Sequence, residues 1–272
     1  MQKIIKYIVV VCIATLFIGC THKAPVTKRS QMILMSQSQE LALGEKSYND
    51  TLKKSKVIYN TRDAKRVKDI GYRIAKVVNR NDYKWEFNLV DNKAQNAFCL
   101  PGGKVVVYTG ILKAAKNDDQ LATVMSHEIA HALARHGAER VSSGMLANGA
   151  QLIGNIILGS QAPHLTQSFN IAFGLGSQYG VMLPYGRMQE NEADEIGIHL
   201  MYQAGYNIYE ALNFWKNMSA GKKEGSEFFS THPNSSTRIA NINKVIAEIK
   251  KTHPRIKTPI RNSGANLGKK IN

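Results

Sequence analysis

The sequence predicts an α+β domain that is mostly helical and carries one small sheet. Apolar residues such as Val67, Ile70 and Ile74 recur at three- and four-residue spacing, which is typical of helices that bury one face. One central region differs, because "YKWEFNLVD" alternates apolar and polar residues and "GGKVVVYTGI" is β-branched. That region predicts two strands.

The first residues of the chain have the layout of an export signal. Lys3 and Lys6 precede an apolar run, 7–18, which ends in Gly-Cys and is short for a membrane span. A small residue directly before a cysteine resembles the bacterial lipobox. We therefore predict a lipoprotein signal peptide over 1–19.

Lipidation of Cys20 would make this residue the mature N-terminus, followed by a lipidated tether over 20–35. Phe17 stands where the lipobox usually has Leu, and an ordinary signal peptide or an uncleaved anchor is the alternative. Thr21 follows Cys20 where an Asp would retain the protein in the inner membrane. This favours an exported protein on the periplasmic face of the outer membrane.

Charge and cysteine content narrow the class of protein further. The net charge is +16, and many basic residues lie in the first thirty positions and in a C-terminal tail over 251–272. In an exported protein such tails favour anionic lipid headgroups, or they are simply solvated, and no recognition motif indicates nucleic acid. Cys99 would be the only cysteine of the folded body, so we predict no intramolecular disulfide.

The helices and strands follow in chain order. A first helix begins with Ser36 or Ser38 as its N-cap, and a second lies near 61–78, before the two strands. A third helix is capped by Asp118 or Asp119, continues through His136 and stops at Gly137.

The second half of the chain is predicted to be helical with one irregular region. The apolar stretch "SGMLANGAQLIGNIILGS" predicts a packing or partner-facing helix, and 161–183 is Gly-rich and expected to be partly mobile. Helices follow over 184–205 and through "IYEALNFWKNM", and a turn at His232-Pro233 leads to a last helix.

The stretch "SHEIAHALARH" carries the clearest chemical signal. On a helix His127 and His131 project from the same face, because they are four residues apart, so both imidazoles can reach one metal ion. Glu128 can approach a metal-activated water without occupying the metal. The spacing is that of zinc metalloproteases. His136 lies too far along the same helix to share this face and is interpreted as a capping or surface histidine.

A catalytic zinc needs a third protein ligand, and "ENEAD" supplies candidates on a later helix. Glu190 and Asp194 share one helix face, whereas Glu192 points to the opposite side. If Glu190 binds the metal, Asp194 can hydrogen-bond the free nitrogen of a ligand histidine and fix its tautomer. The alternative is that all of these are solvated acids on an exposed helix.

Four segments together resemble one family. "HEIAH" and "ENEAD", with "NAFCLPGGKVVVYTGIL" before and "STHPNSSTRI" after, are similar to metallopeptidase family forty-eight, the HtpX-like and CAAX-type gluzincins, over roughly residues 40–246. The lipobox points to the bacterial lipoprotein branch. The resemblance implies a zincin-like metalloprotease domain over 36–250, with one zinc ion and a small sheet whose edge strand borders the active-site cleft.

The resemblance also implies roles for individual residues. Glu190 matches the third zinc ligand and Asp194 the trailing Asp of the family. His232 matches a histidine close to the zinc, either as a hydrogen-bond donor to the oxyanion or as a removable fourth ligand; a capping role is the alternative. The strand that pairs with extended substrate would include Asn96, Ala97, Phe98, Gly102 and Gly103.

These observations predict a zinc metalloendopeptidase of the bacterial envelope, with Glu128, Asp194 and His232 as catalytic residues. Its substrates would be unfolded or misassembled envelope proteins, and its role protein quality control. The alternative is a chaperone-like assembly factor for outer-membrane proteins with a latent or structural zinc site. A zinc amidase acting on peptidoglycan is a third hypothesis. The sequence predicts no oligomeric state.

Overall fold

The computed structural model describes residues 21–220, 232 and 237–253. The predicted signal peptide, Cys20 and most of the predicted basic tail lie outside these residues. Lipidation and the boundaries of the signal peptide therefore stay predictions.

Within the described residues the chain forms six strands and eight α-helices. The strands are β1 Thr21–Lys23, β2 Ser30–Met32, β3 Val57–Ile58, β4 Glu86–Val90, β5 Ala97–Leu100 and β6 Lys104–Tyr108. The helices are α1 Gln37–Lys53, α2 Arg62–Ala75, α3 Asp118–Leu133, α4 His136–Gln161, α5 Thr166–Ser177, α6 Leu183–Gln203, α7 Glu210–Ala220 and α8 Arg238–Thr252.

The main sheet is small, as predicted, and it mixes parallel and antiparallel strands. Its strand order is β3-β4-β6-β5, with β4 and β6 parallel and the other neighbours antiparallel. The inner strand β6 is apolar on both faces, and Val105, Val106 and Val107 are fully buried. Strand β5 lies at an edge of the sheet and packs on α3. The fold class, a mostly helical domain with a small sheet beside the metal-site helix, is confirmed.

The segment predicted as the substrate strand is a hairpin, in which β5 turns back into β6. The turn needs glycine, because Gly102 and Gly103 have φ angles of 88° and 81°, in the left-handed region. A Cβ atom on Gly103 would also lie 2.7 Å from the ring of Trp85. Gly102 and Gly103 are thus turn residues, while Ala97 and Phe98 belong to the edge strand.

Helix α3 lies at the centre of the domain, between β5, α2, α6 and α7. Its apolar residues Leu121, Val124, Met125 and Ile129 are fully buried. Such burial of a helix on all sides explains how polar groups on α3 can lie in a site shielded from water.

The predicted third helix is correct in position but wrong at both ends. Its N-cap is Asn117, whose side-chain oxygen accepts a hydrogen bond from the backbone of Gln120 at 2.8 Å, and not Asp118 or Asp119. It ends at Leu133, because Arg135 adopts a left-handed conformation with φ of 53°.

Arg135 is held in that conformation by groups from the N-terminal part of the chain. Its Nε donates to Oε2 of Glu40 at 2.6 Å, and its Nη2 donates to the carbonyl of Met35 at 3.1 Å. A new helix, α4, then starts at His136. This break changes the role of His136.

Residues 21–35, predicted as a polar tether, pack against the domain instead. Strands β1 and β2 form an antiparallel hairpin, in which Thr21 lies opposite Met32. The backbone of Leu34 donates to Oγ of Ser142 on α4 at 2.9 Å. This segment, the N-terminal hairpin (21–32), is therefore part of the folded body.

Helices α4 and α5 form an arm with an apolar surface. The side chains of Leu152, Ile153, Ile156 and Ile157 are between 51% and 63% exposed. The region predicted to be partly mobile contributes α5 and a short π-turn, Gln178–Met182. Among the residues with described structure, no helix has both the length and the apolarity needed to span a membrane.

Candidate active site

Two helices bring the three predicted metal ligands together. His127 and His131 lie on α3, and their Nε2 atoms are 3.1 Å apart. Glu190 on α6 faces both, with one carboxylate oxygen 3.3 Å from Nε2 of His127 and the other 3.3 Å from Nε2 of His131. All three side chains are buried.

The donor set fits a zinc ion in chemistry and in spacing. Two imidazole nitrogens and one carboxylate are a ligand set found at catalytic zinc sites. Ligand atoms about 2.0–2.1 Å from a tetrahedral zinc are about 3.3 Å from one another, close to the three separations between His127, His131 and Glu190. One donor atom of each of these residues and of His232 lies within 4.8 Å of the others.

Asp194 lies where the helix periodicity predicts. Its Oδ1 accepts a hydrogen bond from Nδ1 of His127 at 2.9 Å, which leaves Nε2 facing Glu190. Burial opposes protonation of His127, but Asp194 and Glu190 outweigh it and raise its pKa to about 9. Binding of a metal at Nε2 would therefore displace a proton from the ring.

Arg238, for which the sequence motifs predicted no role, completes this support. Its guanidinium donates to Asp194 twice, from Nε to Oδ2 at 2.6 Å and from Nη2 to Oδ1 at 2.9 Å. Its Cζ also lies 3.5 Å from the ring centroid of Trp215. Burial raises the pKa of Asp194, but Arg238 and His127 keep it below its ordinary value.

The interpretation of His136 as a capping or surface histidine is wrong. The side chain is fully buried, and its Nδ1 lies 2.8 Å from Nδ1 of His131. On one continuous helix, residues five apart would point in directions roughly 140° apart. The left-handed Arg135 ends α3 and turns His136 back onto His131.

Glu192 also has a role that sequence reasoning missed. Its Oε2 lies 2.9 Å from Nε2 of His136 and accepts from Nε of Arg29 at 2.8 Å. Arg29 further donates to both oxygens of Glu139, at 2.7 and 2.8 Å. Burial raises the pKa of Glu192, but His136 and Arg29 outweigh it and lower the value to about 2.

Glu128 lies in the same site and carries a buried carboxylate oxygen. It is only 2% exposed, and within the described ranges its Oε1 accepts no hydrogen bond. Among the described residues, Nε2 of His232 forms an ion-pair contact with this oxygen at 3.4 Å. A buried carboxylate oxygen left in this state beside a metal site can accept and return a proton.

His232 is the single described residue of the stretch 221–236, and its ring lies beside the two ligand histidines. Its ring centroid lies 5.4 Å from that of His127 and 5.3 Å from that of His131. This position is compatible with both roles implied by the family resemblance, an oxyanion donor and a fourth ligand. A capping role alone does not explain why the ring faces the two ligand histidines.

The edge strand brings the predicted substrate-binding residues beside α3. Asn96 is buried, and its Oδ1 accepts a hydrogen bond from the backbone of Ala97 at 2.9 Å. Ala97 is fully buried, whereas Phe98 is half-buried and makes an edge-to-face contact with Tyr108. Asn96 thus orients the start of β5. Pairing of β5 with substrate stays a prediction.

The residues missed by sequence reasoning share one feature, since each is a charged or polar side chain that finds its partner far along the chain. Arg29 was predicted to lie in a tether, and His136 was interpreted from its distance along a single helix. Arg238 lies in the segment "STHPNSSTRI" but had no predicted role. The available signal was the carboxylate excess at the site, which calls for buried cations nearby.

Comparison with known proteins agrees with this geometry. The model of peptidase family M48 matches residues 61–246. The chain is 32% identical over 262 residues to the mitochondrial metalloendopeptidase OMA1 of Saccharomyces cerevisiae, covering 85% of this chain and 73% of that protein.

Two further relatives are matched over about half of their own length. The mitochondrial metalloendopeptidase OMA1 of Schizosaccharomyces pombe is 36% identical over 181 residues, covering 65% of this chain and 51% of that protein. The beta-barrel assembly-enhancing protease of Escherichia coli is 26% identical over 237 residues, covering 84% of this chain and 48% of that protein. Since the family model covers more than half of the sequence and includes the two histidines and the glutamate, the chain belongs to peptidase family M48, as a zinc metalloendopeptidase of that type.

Proposed function

We propose that this metalloendopeptidase is lipid-anchored through Cys20 to the periplasmic face of the outer membrane. There it cleaves unfolded or misassembled envelope proteins as part of quality control. The observation that carries the catalytic part is the cluster of His127, His131 and Glu190, beside which a buried Glu128 oxygen accepts no hydrogen bond from the described part of the chain.

The roles in catalysis follow from these positions. His127, His131 and Glu190 would hold the zinc. Bound zinc supplies Lewis acidity to the scissile carbonyl and makes an attacking water more acidic. Glu128 takes the proton of that water and passes it to the leaving amine. Asp194 keeps Nδ1 of His127 protonated, so that Nε2 stays free to bind.

Substrate binding is assigned to the edge of the sheet. An extended peptide adds to β5 as a further strand, next to α3, and its backbone supplies the hydrogen bonds. His232 then acts either as the oxyanion donor or as a ligand that substrate displaces. Its distance of 3.4 Å from Glu128 supports a position at the reacting atoms.

The site of action rests on the sequence and on one relative. The lipobox-like ending at Cys20 supports lipid anchoring. The name of the bacterial relative, beta-barrel assembly-enhancing protease, places that protein's work at β-barrel assembly. Other relatives are mitochondrial, so the envelope setting of this chain is part of the proposal.

The exposed arm of α4 and α5 supports capture of unfolded protein. Residues 141–186 contain no Asp, Glu, Lys or Arg, and apolar side chains on both helices, such as Ile153 and Ile171, are more than half exposed. Apolar surfaces of this kind are typical of binding sites. The same feature favours the second candidate function, a chaperone-like assembly factor for outer-membrane proteins.

Cleavage assays separate these two functions. The full chain, purified in detergent and loaded with zinc, is incubated with an unfolded outer-membrane protein. We expect cleavage by the natural chain, retained zinc and a loss of rate of about 10²–10⁴-fold in Glu128→Gln. The matched control is Glu195→Gln, a half-buried carboxylate on the same helix as Glu190, which should cleave normally.

The outcomes against the proposal are equally concrete. Binding without cleavage, even in His232→Ala, supports the chaperone-like role. Release of fragments from purified sacculi would support the amidase hypothesis instead. His127→Ala should lose zinc by elemental analysis, and full zinc content in that variant contradicts the ligand assignment. Envelope proteomics of cells carrying Glu128→Gln would identify the accumulated substrate.

A further inference from the structure

The two ligand histidines are supported by different kinds of group. His127 donates directly to a carboxylate, Asp194, which is held by Arg238. His131 instead contacts a second imidazole, that of His136. Each support ends in an arginine, and the two arginines come from opposite ends of the described chain.

The positions of the protons on His131 and His136 follow from the nitrogen of His131 that faces the metal site. Nε2 of His131 faces His127 and Glu190, so it must carry a lone pair to bind a metal. Nδ1 of His131 then carries the hydrogen and donates to Nδ1 of His136 at 2.8 Å. His136 in turn carries its hydrogen on Nε2 and donates to Glu192 at 2.9 Å. With both rings neutral, one choice of tautomers satisfies the hydrogen bonds from His131 to His136 and from His136 to Glu192.

Glu192, the last group in this series of hydrogen bonds, is held by the N-terminal hairpin. Arg29 donates to Oε2 of Glu192 from Nε at 2.8 Å and from Nη2 at 2.6 Å, and Thr27 donates to Oε1. Arg29 is also anchored on Glu139, which is fully buried on α4. Glu192 is therefore held by two groups, His136 on one side and the hairpin on the other.

We propose that His136 is the positioning residue of ligand His131, and that the N-terminal hairpin, through Arg29 and Glu192, is part of the support of the metal site. The left-handed Arg135 serves this arrangement, since it ends α3 and returns the ring of His136 to His131. The inference rests on the zinc site of the proposed function and is independent of which protein is cleaved.

Three substitutions at one position test the hydrogen bond itself. His136→Leu removes both contacts. His136→Asn places an amide oxygen near the position of Nδ1 and keeps an acceptor for His131, whereas His136→Gln reaches toward Glu192 and leaves His131 without its partner. Zinc affinity is measured by chelator competition, and the geometry of the site by the visible absorption of the cobalt-substituted full chain.

We expect zinc affinity to fall about 10–100-fold in His136→Leu and in His136→Gln, with an altered cobalt spectrum. His136→Asn should stay within a few-fold of the natural chain and keep its spectrum. Wild-type affinity in His136→Leu overturns the proposal. Equal loss in all three variants also overturns it, because the ring would then act only by filling space.

Arg29→Gln tests the hairpin without touching the buried ring, which keeps the proposal falsifiable if the His136 variants fail to fold. We expect a several-fold loss of zinc affinity. The matched control is Arg66→Gln, since Arg66 is also ion-paired and its side chain is 14% exposed, against 19% for Arg29. Equal affinities in the two variants would refute the part assigned to the hairpin. If the natural chain binds zinc but cleaves no protein, that result counts against the proposed function alone.

Discussion

Replacement of Arg238 by Met should destabilise the protein through charge rather than through packing. The guanidinium is 1% exposed, donates twice to Asp194 and lies on Trp215. Met keeps most of the volume but removes the guanidinium from the buried Asp194 carboxylate, which keeps His127 as its remaining partner among the described residues. Removal of one partner from a buried ion pair costs about 3–5 kcal/mol. We expect that loss in the free energy of unfolding of the metal-free chain.

The assay is urea unfolding with and without zinc, followed by fluorescence. Bound zinc would bring positive charge next to His127, so the loss should be smaller in the zinc-loaded chain. The double variant Arg238→Met with Asp194→Asn should recover more than 1 kcal/mol relative to Arg238→Met, because the buried carboxylate that lost its guanidinium is gone. Arg66→Met, whose pair with Asp118 is more exposed, should lose less than about 1 kcal/mol.

Two results would refute this reasoning. A loss below 1 kcal/mol in the metal-free chain would mean that the pair contributes no more than a surface ion pair. Additive effects of the two substitutions would mean that Arg238 and Asp194 are not coupled, and that the guanidinium acts mainly by its contact with Trp215.

Three further predictions concern the site entrance, the hairpin and the turn. His232→Ala should lower kcat about 10²–10³-fold if this residue donates to the oxyanion, and raise activity if it is a removable ligand; unchanged turnover contradicts both roles. Burial raises the pKa of Glu139, but Arg29 outweighs burial and keeps this pKa below the ordinary 4.5. The stability that ionised Glu139 contributes is therefore present above pH 4.5 and is lost as the pH falls through the lowered pKa. Unfolding measured across pH should therefore show a flatter acid limb in Glu139→Gln, and an unaltered limb would exclude this carboxylate as a source of acid sensitivity. Gly103→Ala, at φ of 81°, should lower stability by about 1–3 kcal/mol in thermal unfolding, while Gly149→Ala, with open space around its Cβ, should not; equal behaviour would show that the turn tolerates a side chain.

The sequence was sufficient where a local pattern settles the geometry. The four-residue spacing of His127 and His131 and the shared face of Glu190 and Asp194 are properties of any α-helix, so the positions of these residues could be predicted before the fold was known. The alternation in "YKWEFNLVD" likewise predicted β4. These features depend on the periodicity of a single element.

The tertiary structure alone decided what lies behind those ligands. One residue, Arg135, leaves helical φ and ψ because Glu40 and Met35 hold its side chain. No sequence pattern within α3 or α4 predicts these contacts. The break places His136 on His131, and the folding of the N-terminal hairpin places Arg29 on Glu192. The sequence by itself thus indicated the candidate metal ligands, since helix periodicity is local, and the family, since its motifs are short stretches of sequence. The supports of the ligands are pairs of buried polar groups far apart in the chain, and only the packing of the whole domain brings them within hydrogen-bonding distance.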